Sequence, residues 1–120
     1  MSDILLVEDS QVEAQKITSY LQNQGRSVLR VTSGEEAEIR LKQEKPHLIL
    51  LDVILPGESG FELCRKLKAD PVTKKIPVVI CSTKNKEIDK IWGRMSGADA
   101  YLTKPVKEET LQQTINQLID

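Results

Sequence analysis

The stretch LILLDVILPGESG, residues Leu48 to Gly60, decides the fold. Four aliphatic side chains in a row run into an aspartate, Asp52. Three more aliphatics, Val53 to Leu55, then lead to Pro56 and the glycines Gly57 and Gly60. A short unbroken apolar run reads as a strand buried on both faces, as in a parallel sheet with helices on either side. An ionised carboxylate beside that much hydrocarbon is costly unless it is solvated or paired. The position of Asp52 therefore asks for a partner elsewhere in the chain.

The same kind of run recurs as ILLV (4–7), VLRV (28–31), IPVVIC (76–81) and AYL (100–102), giving five strands in all. Helical patterns lie between them. Ser10 and Glu13 form an S-x-x-E capping box, followed by Ala14, Ile17 and Leu21 on one face, with Gly25 as the stop. Ser33 and Glu36 repeat the box ahead of Ala37 and Leu41. A third helix is predicted over 58–69, ending before Pro71. Ile88, Ile91, Trp92 and Met95 follow the i, i+3, i+4, i+7 spacing of a fourth helix, and Leu111, Ile115, Leu118 and Ile119 mark a fifth. Five strand–helix units with short connections imply an α/β fold with a parallel sheet, helices on both faces and right-handed crossovers. The 120 residues suit one domain spanning 1–120. No linker, low-complexity tract or output domain is expected.

Composition narrows the function. The net charge is -1 with 29% charged residues of both signs, which argues against a nucleic-acid binder working through a basic field. No run approaches the ~18 apolar residues of a membrane span. The opening MSDILLVED turns acidic too soon for a signal peptide, so a cytoplasmic location is expected. Cys64 and Cys81 form no C-x-x-C pair and read as small core residues in a reducing compartment. His47, the single histidine, has no Ser or Cys motif beside it and reads as structural. One histidine and two distant cysteines supply no zinc-type ligand cluster.

Ligands of open α/β sheets bind beyond the carboxyl ends of the strands. After the first strand come Glu8 and Asp9; after the third, Asp52; after the fourth, Ser82 and Thr83; after the fifth, Thr103, Lys104 and Pro105. Three carboxylates, a hydroxyl and a lysine are thus brought to one edge. Like charges ~4 Å apart cost about 4 kcal/mol at an effective dielectric of 20, so a proton or a cation must neutralise them. An all-oxygen, partly open site suits Mg²⁺, which keeps several waters and often brings a phosphate. A lysine beside the acids suits an arriving phosphoryl group. Asp52 then reads as a nucleophile forming an acyl phosphate, with either Ser82 or Thr83 as the hydroxyl that meets it.

Taken together, Glu8-Asp9, the D-x-x-x-P-x-x-x-G run from Asp52 through Pro56 to Gly60, Ser82, and Lys104-Pro105 resemble the receiver domains of two-component signalling, the CheY-like family. The segment from Thr83 to Leu111 is similar to the pilus-associated, twitching-motility (PilH-type) receivers. The resemblance implies a flavodoxin-like (βα)5 sandwich with strand order 2-1-3-4-5. It implies Asp52 as phosphoacceptor, and Glu8, Asp9, Asp52 and the main-chain carbonyl of Ile54 as Mg²⁺ ligands. It further implies Lys104 as the phosphate-binding lysine, Ser82 as the switch hydroxyl, Tyr101 as the switch aromatic and a cis Lys104–Pro105 bond. A histidine kinase would be the phosphodonor and a downstream protein the target, with motility control as the setting. The protein would be a monomer, or a weak dimer through the fourth helix, fifth strand and fifth helix. It would be no enzyme beyond its own Mg²⁺-dependent phosphorylation and dephosphorylation.

Three departures and three rivals bear on this reading. Thr83 is bulkier than the small residue usual after the switch hydroxyl, Lys84 adds a cation at the mouth, and Ile54 has no group to hydrogen-bond an attacking water. Slow hydrolysis of the acyl phosphate is expected from Ile54. A haloacid-dehalogenase-type phosphatase needs a second Asp at position 54 and finds Ile54. A flavin binder needs a Ser/Thr/Gly-rich first loop and finds EDSQVEAQ. A receiver-like protein-interaction module that is never phosphorylated is the remaining alternative. Trp92 is open to two readings, packing in the core or on the helix face, or anchoring a partner.

Overall fold

The computed structural model describes residues 3–119. Five strands, β1 (Ile4–Val7), β2 (Val28–Val31), β3 (Leu48–Leu51), β4 (Val78–Ser82) and β5 (Ala100–Thr103), alternate with five helices. These are α1 (Gln11–Asn23), α2 (Gly34–Gln43), α3 (Gly60–Ala69), α4 (Glu87–Met95) and α5 (Glu108–Leu118). All strand pairs are parallel, and the order is β2-β1-β3-β4-β5. The flavodoxin-like (βα)5 sandwich expected from the resemblance is therefore the fold.

Alternation along each strand divides the core in two. Leu5, Val7, Ile49, Leu51, Val78 and Ile80 face Ala37, Leu41, Leu63, Cys64 and Leu67. Ile4, Leu6, Leu48, Leu50, Val79 and Cys81 face Ala14, Ile17, Leu21, Leu111 and Ile115. The apolar runs of β1, β3 and β4 thus fill both faces and are buried throughout, whereas VLRV and AYL, also read as buried strands, form the sheet edges β2 and β5 and are mostly half-buried. Each fully buried Leu or Ile contributes about 1.5–3 kcal/mol relative to exposure. This fixes the strand that aims Asp52.

Four local readings are corrected. β4 begins at Val78 rather than Ile76: Ile76 closes a turn onto the Thr73 carbonyl, and Pro77 has no N–H to give the ladder. Ser82 and Thr103 end β4 and β5, paired with each other, instead of following those strands. α3 starts at Gly60, capped by Ser59, whose Oγ accepts the Glu62 N–H. The capping boxes are only half made. Ser10 and Ser33 accept from the N–H groups of Glu13 and Glu36, but the Ser10 N–H goes to Glu8 Oε2 at 3.1 Å, and Glu36 reaches the Thr32 N–H at 2.7 Å.

α4 departs most from expectation. Its large apolar side chains do not enter the core: Ile88, Trp92 and Met95 are 52%, 56% and 76% exposed. Trp92 does not pack into the core, because α4 seats itself on Gly93, whose position faces the Tyr101 ring. A β-carbon there would come within 2.7 Å of Tyr101 Cδ2. So close an approach leaves the wide side chains only the outer face.

Candidate functional site

The carboxyl ends of β1, β3, β4 and β5 deliver the residues of the site. Asp52 follows β3, and a parallel ladder to β1 on one side and β4 on the other leaves it no freedom of register. Its main-chain N–H donates to the Val7 carbonyl at 3.1 Å. Its Oδ1 accepts from the Val53 N–H at 2.7 Å and more distantly from the Ile54 N–H at 3.4 Å. The side chain is thus turned back over the start of its own loop, and the residue is 8% exposed. Gly60 makes this approach feasible: a β-carbon there would sit 2.0 Å from the Asp52 carbonyl oxygen.

Lys104 crosses to it from the end of β5. Its Nζ lies 3.2 Å from Asp52 Oδ2 and donates also to Glu8 Oε1. Its main-chain N–H is held by the Ser82 carbonyl at 2.9 Å, and the Lys104–Pro105 bond is cis. Lys104 and Glu8 are almost completely buried as side chains. Burial pushes the Glu8 carboxyl above its ordinary value. The lysine and the Ser10 N–H oppose this, and the charge of Asp52 adds to it. Burial alone would pull Lys104 down, but the bond to Glu8 and the charge of Asp52 outweigh it, and its value lies above the ordinary one. One cation thus serves two buried acids.

The remaining residues lie around this pair. Ser82 is fully buried at the end of β4, and its Oγ accepts from the Lys84 N–H at 3.3 Å. Tyr101 is half-buried on β5, its ring stacked near Phe61 at 6.5 Å between centroids. Its hydroxyl donates to the Lys84 carbonyl at 2.7 Å, so the loop after Ser82 and the Tyr101 ring are tied together. Burial, with Asp89 and Asp52 adding charge, pushes the phenol up to about 12. Ile54 is 56% exposed at the rim.

Asp9 does not join the buried pair. It is exposed, and among the described residues no three His, Cys, Asp or Glu side chains stand together as a metal-holding group. The donor set nevertheless fits Mg²⁺. It offers oxygen alone, from Asp52, Glu8 and Asp9. Among the described residues no hydrogen bond ends on the Ile54 carbonyl, which leaves it open. Mg²⁺ takes one or two carboxylates and keeps several waters, so it does not need a preformed cage.

The sequence carries no signal for Arg30. From β2 its Nε and Nη2 each donate at 3.0 Å to the main-chain carbonyls of Glu8 and Asp9. A lone arginine in a short strand offers no pattern to read, and only the β1–β2 register brings it to the acidic loop. His47 and the cysteines behave as expected. His47 pairs with Asp3 on the surface at 3.5 Å, and both thiols are buried and free.

Comparison with known proteins agrees with this geometry. Residues 4–116 match the family described as the response regulator receiver domain. The chain is 45% identical over 119 residues to protein PilH of Pseudomonas aeruginosa, covering 99% of this chain and 98% of that protein. A crystal structure of a response regulator from Chloroflexus aurantiacus superposes with a TM-score of 0.94 at 31% identity, covering 98% and 96% of the two chains. The receiver domain of the sensor histidine kinase PA1611 from Pseudomonas aeruginosa superposes with a TM-score of 0.90 at 28% identity, covering 98% and 97%. That structure holds a magnesium ion coordinated in its active-site cleft. The pilus-type likeness drawn from the sequence thus agrees with the match to PilH. With its fold, its strand-end residues and a family match over nearly its whole length, the chain belongs to the response regulator receiver domains of two-component signalling.

Proposed function

We propose that this receiver accepts a phosphoryl group on Asp52 from a histidine kinase and uses it to change its protein contacts, in the control of motility. The observation that carries this reading is the bridge of Lys104 between buried Glu8 and buried Asp52 at the carboxyl edge of the sheet. An oxygen of Asp52 forms a bond to phosphorus as the bond from phosphorus to the donor imidazole breaks, and the imidazole nitrogen takes a proton from solvent. Lys104 neutralises charge on the transferred group. Asp52, Glu8, Asp9 and the Ile54 carbonyl would hold Mg²⁺, which supplies charge neutralisation to the phosphoryl oxygens when bound.

Ser82 offers its hydroxyl to a phosphoryl oxygen from the end of the neighbouring strand. Drawing Ser82 inward pulls on the loop whose Lys84 carbonyl holds the Tyr101 hydroxyl. That connection gives the switch a physical route from Asp52 to the face of α4, β5 and α5, a two-state population shift. Protein PilH, by its similarity over nearly the whole of both chains, supports motility as the setting. A cytoplasmic location suits a partner of kinase domains, and among the described residues no helix is long and apolar enough to cross a membrane.

The test is intact mass after incubation with acetyl phosphate and Mg²⁺. One added phosphoryl group is expected, absent in Asp52→Asn and absent in EDTA. A Ser82→Ala protein should accept phosphate and fail to switch partner binding. A wild-type protein that binds Mg²⁺ yet gains no phosphate from acetyl phosphate or a receiver-specific kinase would overturn the reading.

A further inference from the structure

We infer that Arg30 is a positioning residue of the site, holding the main chain of the acidic loop so that Asp9 is presented to the cation. The inference rests on the Mg²⁺-binding reading given above. Arg30 lies on the edge strand β2 opposite Leu6 of β1, two residues short of Glu8. Its guanidinium spans two successive carbonyls, Glu8 O and Asp9 O, each at 3.0 Å. At this point β1 has ended and α1 has not begun, so neither the ladder nor the helix satisfies these carbonyls. A planar fork whose donors are fixed in one plane holds both carbonyls in a set orientation, whereas an ammonium is a point charge with freely rotating donors and no such fork.

The two acids are tethered differently. The Glu8 side chain is fixed on its own account, by Lys104 and by the Ser10 N–H. Asp9 is exposed, and among the described residues its carboxylate accepts no hydrogen bond. What orients Asp9 is its backbone, and Arg30 grips that backbone. The positive charge of Arg30 would by itself repel a second cation nearby. Its geometric and electrostatic effects on Mg²⁺ therefore have opposite signs and can be separated.

Three proteins separate them: wild type, Arg30→Lys and Arg30→Met, each titrated with Mg²⁺ by calorimetry. Outer groups that orient ligands typically matter by about 10–100-fold in metal affinity, so both variants are expected to bind about 10-fold more weakly. Amide exchange at residues 8–10 should also quicken in both, without Mg²⁺ present. Unchanged Mg²⁺ affinity in both variants, with a normal wild type, overturns the role of Arg30 and leaves the site reading standing. Tighter binding by Arg30→Met with an unchanged Arg30→Lys also overturns it, since charge alone would then act. A wild type that binds no Mg²⁺ at millimolar concentrations overturns the site reading and this inference together. Urea unfolding of each variant identifies any that has lost its fold, and Arg30→Gln, which keeps a single donor nitrogen in place of three, then takes its place with an intermediate loss expected.

Discussion

Replacing Lys104 with methionine removes the cation and keeps most of the aliphatic stem. The ammonium it removes lies between Glu8 and Asp52, which are 2% and 8% exposed, so neither acid can simply turn to water. Removing one partner of a buried ion pair costs about 3–5 kcal/mol if the remaining charge stays. Proton uptake sets a ceiling on that cost. A carboxyl with an ordinary value of 4.5 takes up a proton at pH 7 for about 3.4 kcal/mol, and at pH 5 for about 0.7 kcal/mol, at about 1.4 kcal/mol per pH unit. Burial already raises the Glu8 carboxyl in the wild type, and loss of the lysine raises it further. A carboxyl whose folded value exceeds its unfolded one favours the native state at low pH and loses that contribution as pH rises through the folded value. In EDTA, Lys104→Met is therefore expected to lose about 3 kcal/mol of stability at pH 7 and about 1 kcal/mol at pH 5. Urea unfolding of both proteins at both pH values measures the difference. Equal losses at the two pH values would refute the electrostatic account of the site.

Three further outcomes are expected. Gly60→Ala places a β-carbon 2.0 Å from the Asp52 carbonyl oxygen, a backbone contact that no rotamer relieves. It should cost about 1–3 kcal/mol in urea unfolding and slow phosphorylation by acetyl phosphate, and wild-type values in both would contradict the close approach. Cys64 and Cys81 are buried and their thiols pushed up by burial, Cys81 to about 12, so both stay protonated at pH 8. Ellman's reagent should find two thiols after denaturation and none promptly before it, and a fast native reaction would refute their burial. Ile54→Asn puts an amide at the exposed rim where it can orient water, so the acyl phosphate should hydrolyse several-fold faster by intact-mass decay; an unchanged lifetime would dispose of the reasoning.

The sheet was legible because its chemistry is local. Strands buried on both faces must be apolar throughout, and ILLV and LILL, at four residues each, have the length of strands rather than helices. Asp52 and Lys104 were legible because a charge at the end of such a strand needs a reason, and strand ends converge in a parallel sheet. What was not legible depends on approach distances between elements. Nothing in the spacing of Ile88, Trp92 and Met95 says that α4 seats itself on Gly93 and turns this stripe to solvent. The S-x-x-E boxes named the helix starts correctly. They could not show that Glu8 would take the Ser10 N–H, because that competition is settled by the loop between β1 and α1. Arg30 likewise acquires a role only from its register beside β1.

Placement of the phosphoryl group on Asp52 is the central claim, and chemical trapping tests it most directly. Borohydride reduces an acyl phosphate of aspartate to homoserine, which peptide mass mapping locates to a residue. After incubation with acetyl phosphate and Mg²⁺, the account predicts homoserine at position 52 and at no other carboxylate, with none in a sample kept in EDTA. Homoserine at Glu8's neighbour Asp9 or at any surface aspartate in place of Asp52, or phosphate gain with no reducible acyl group, would contradict it.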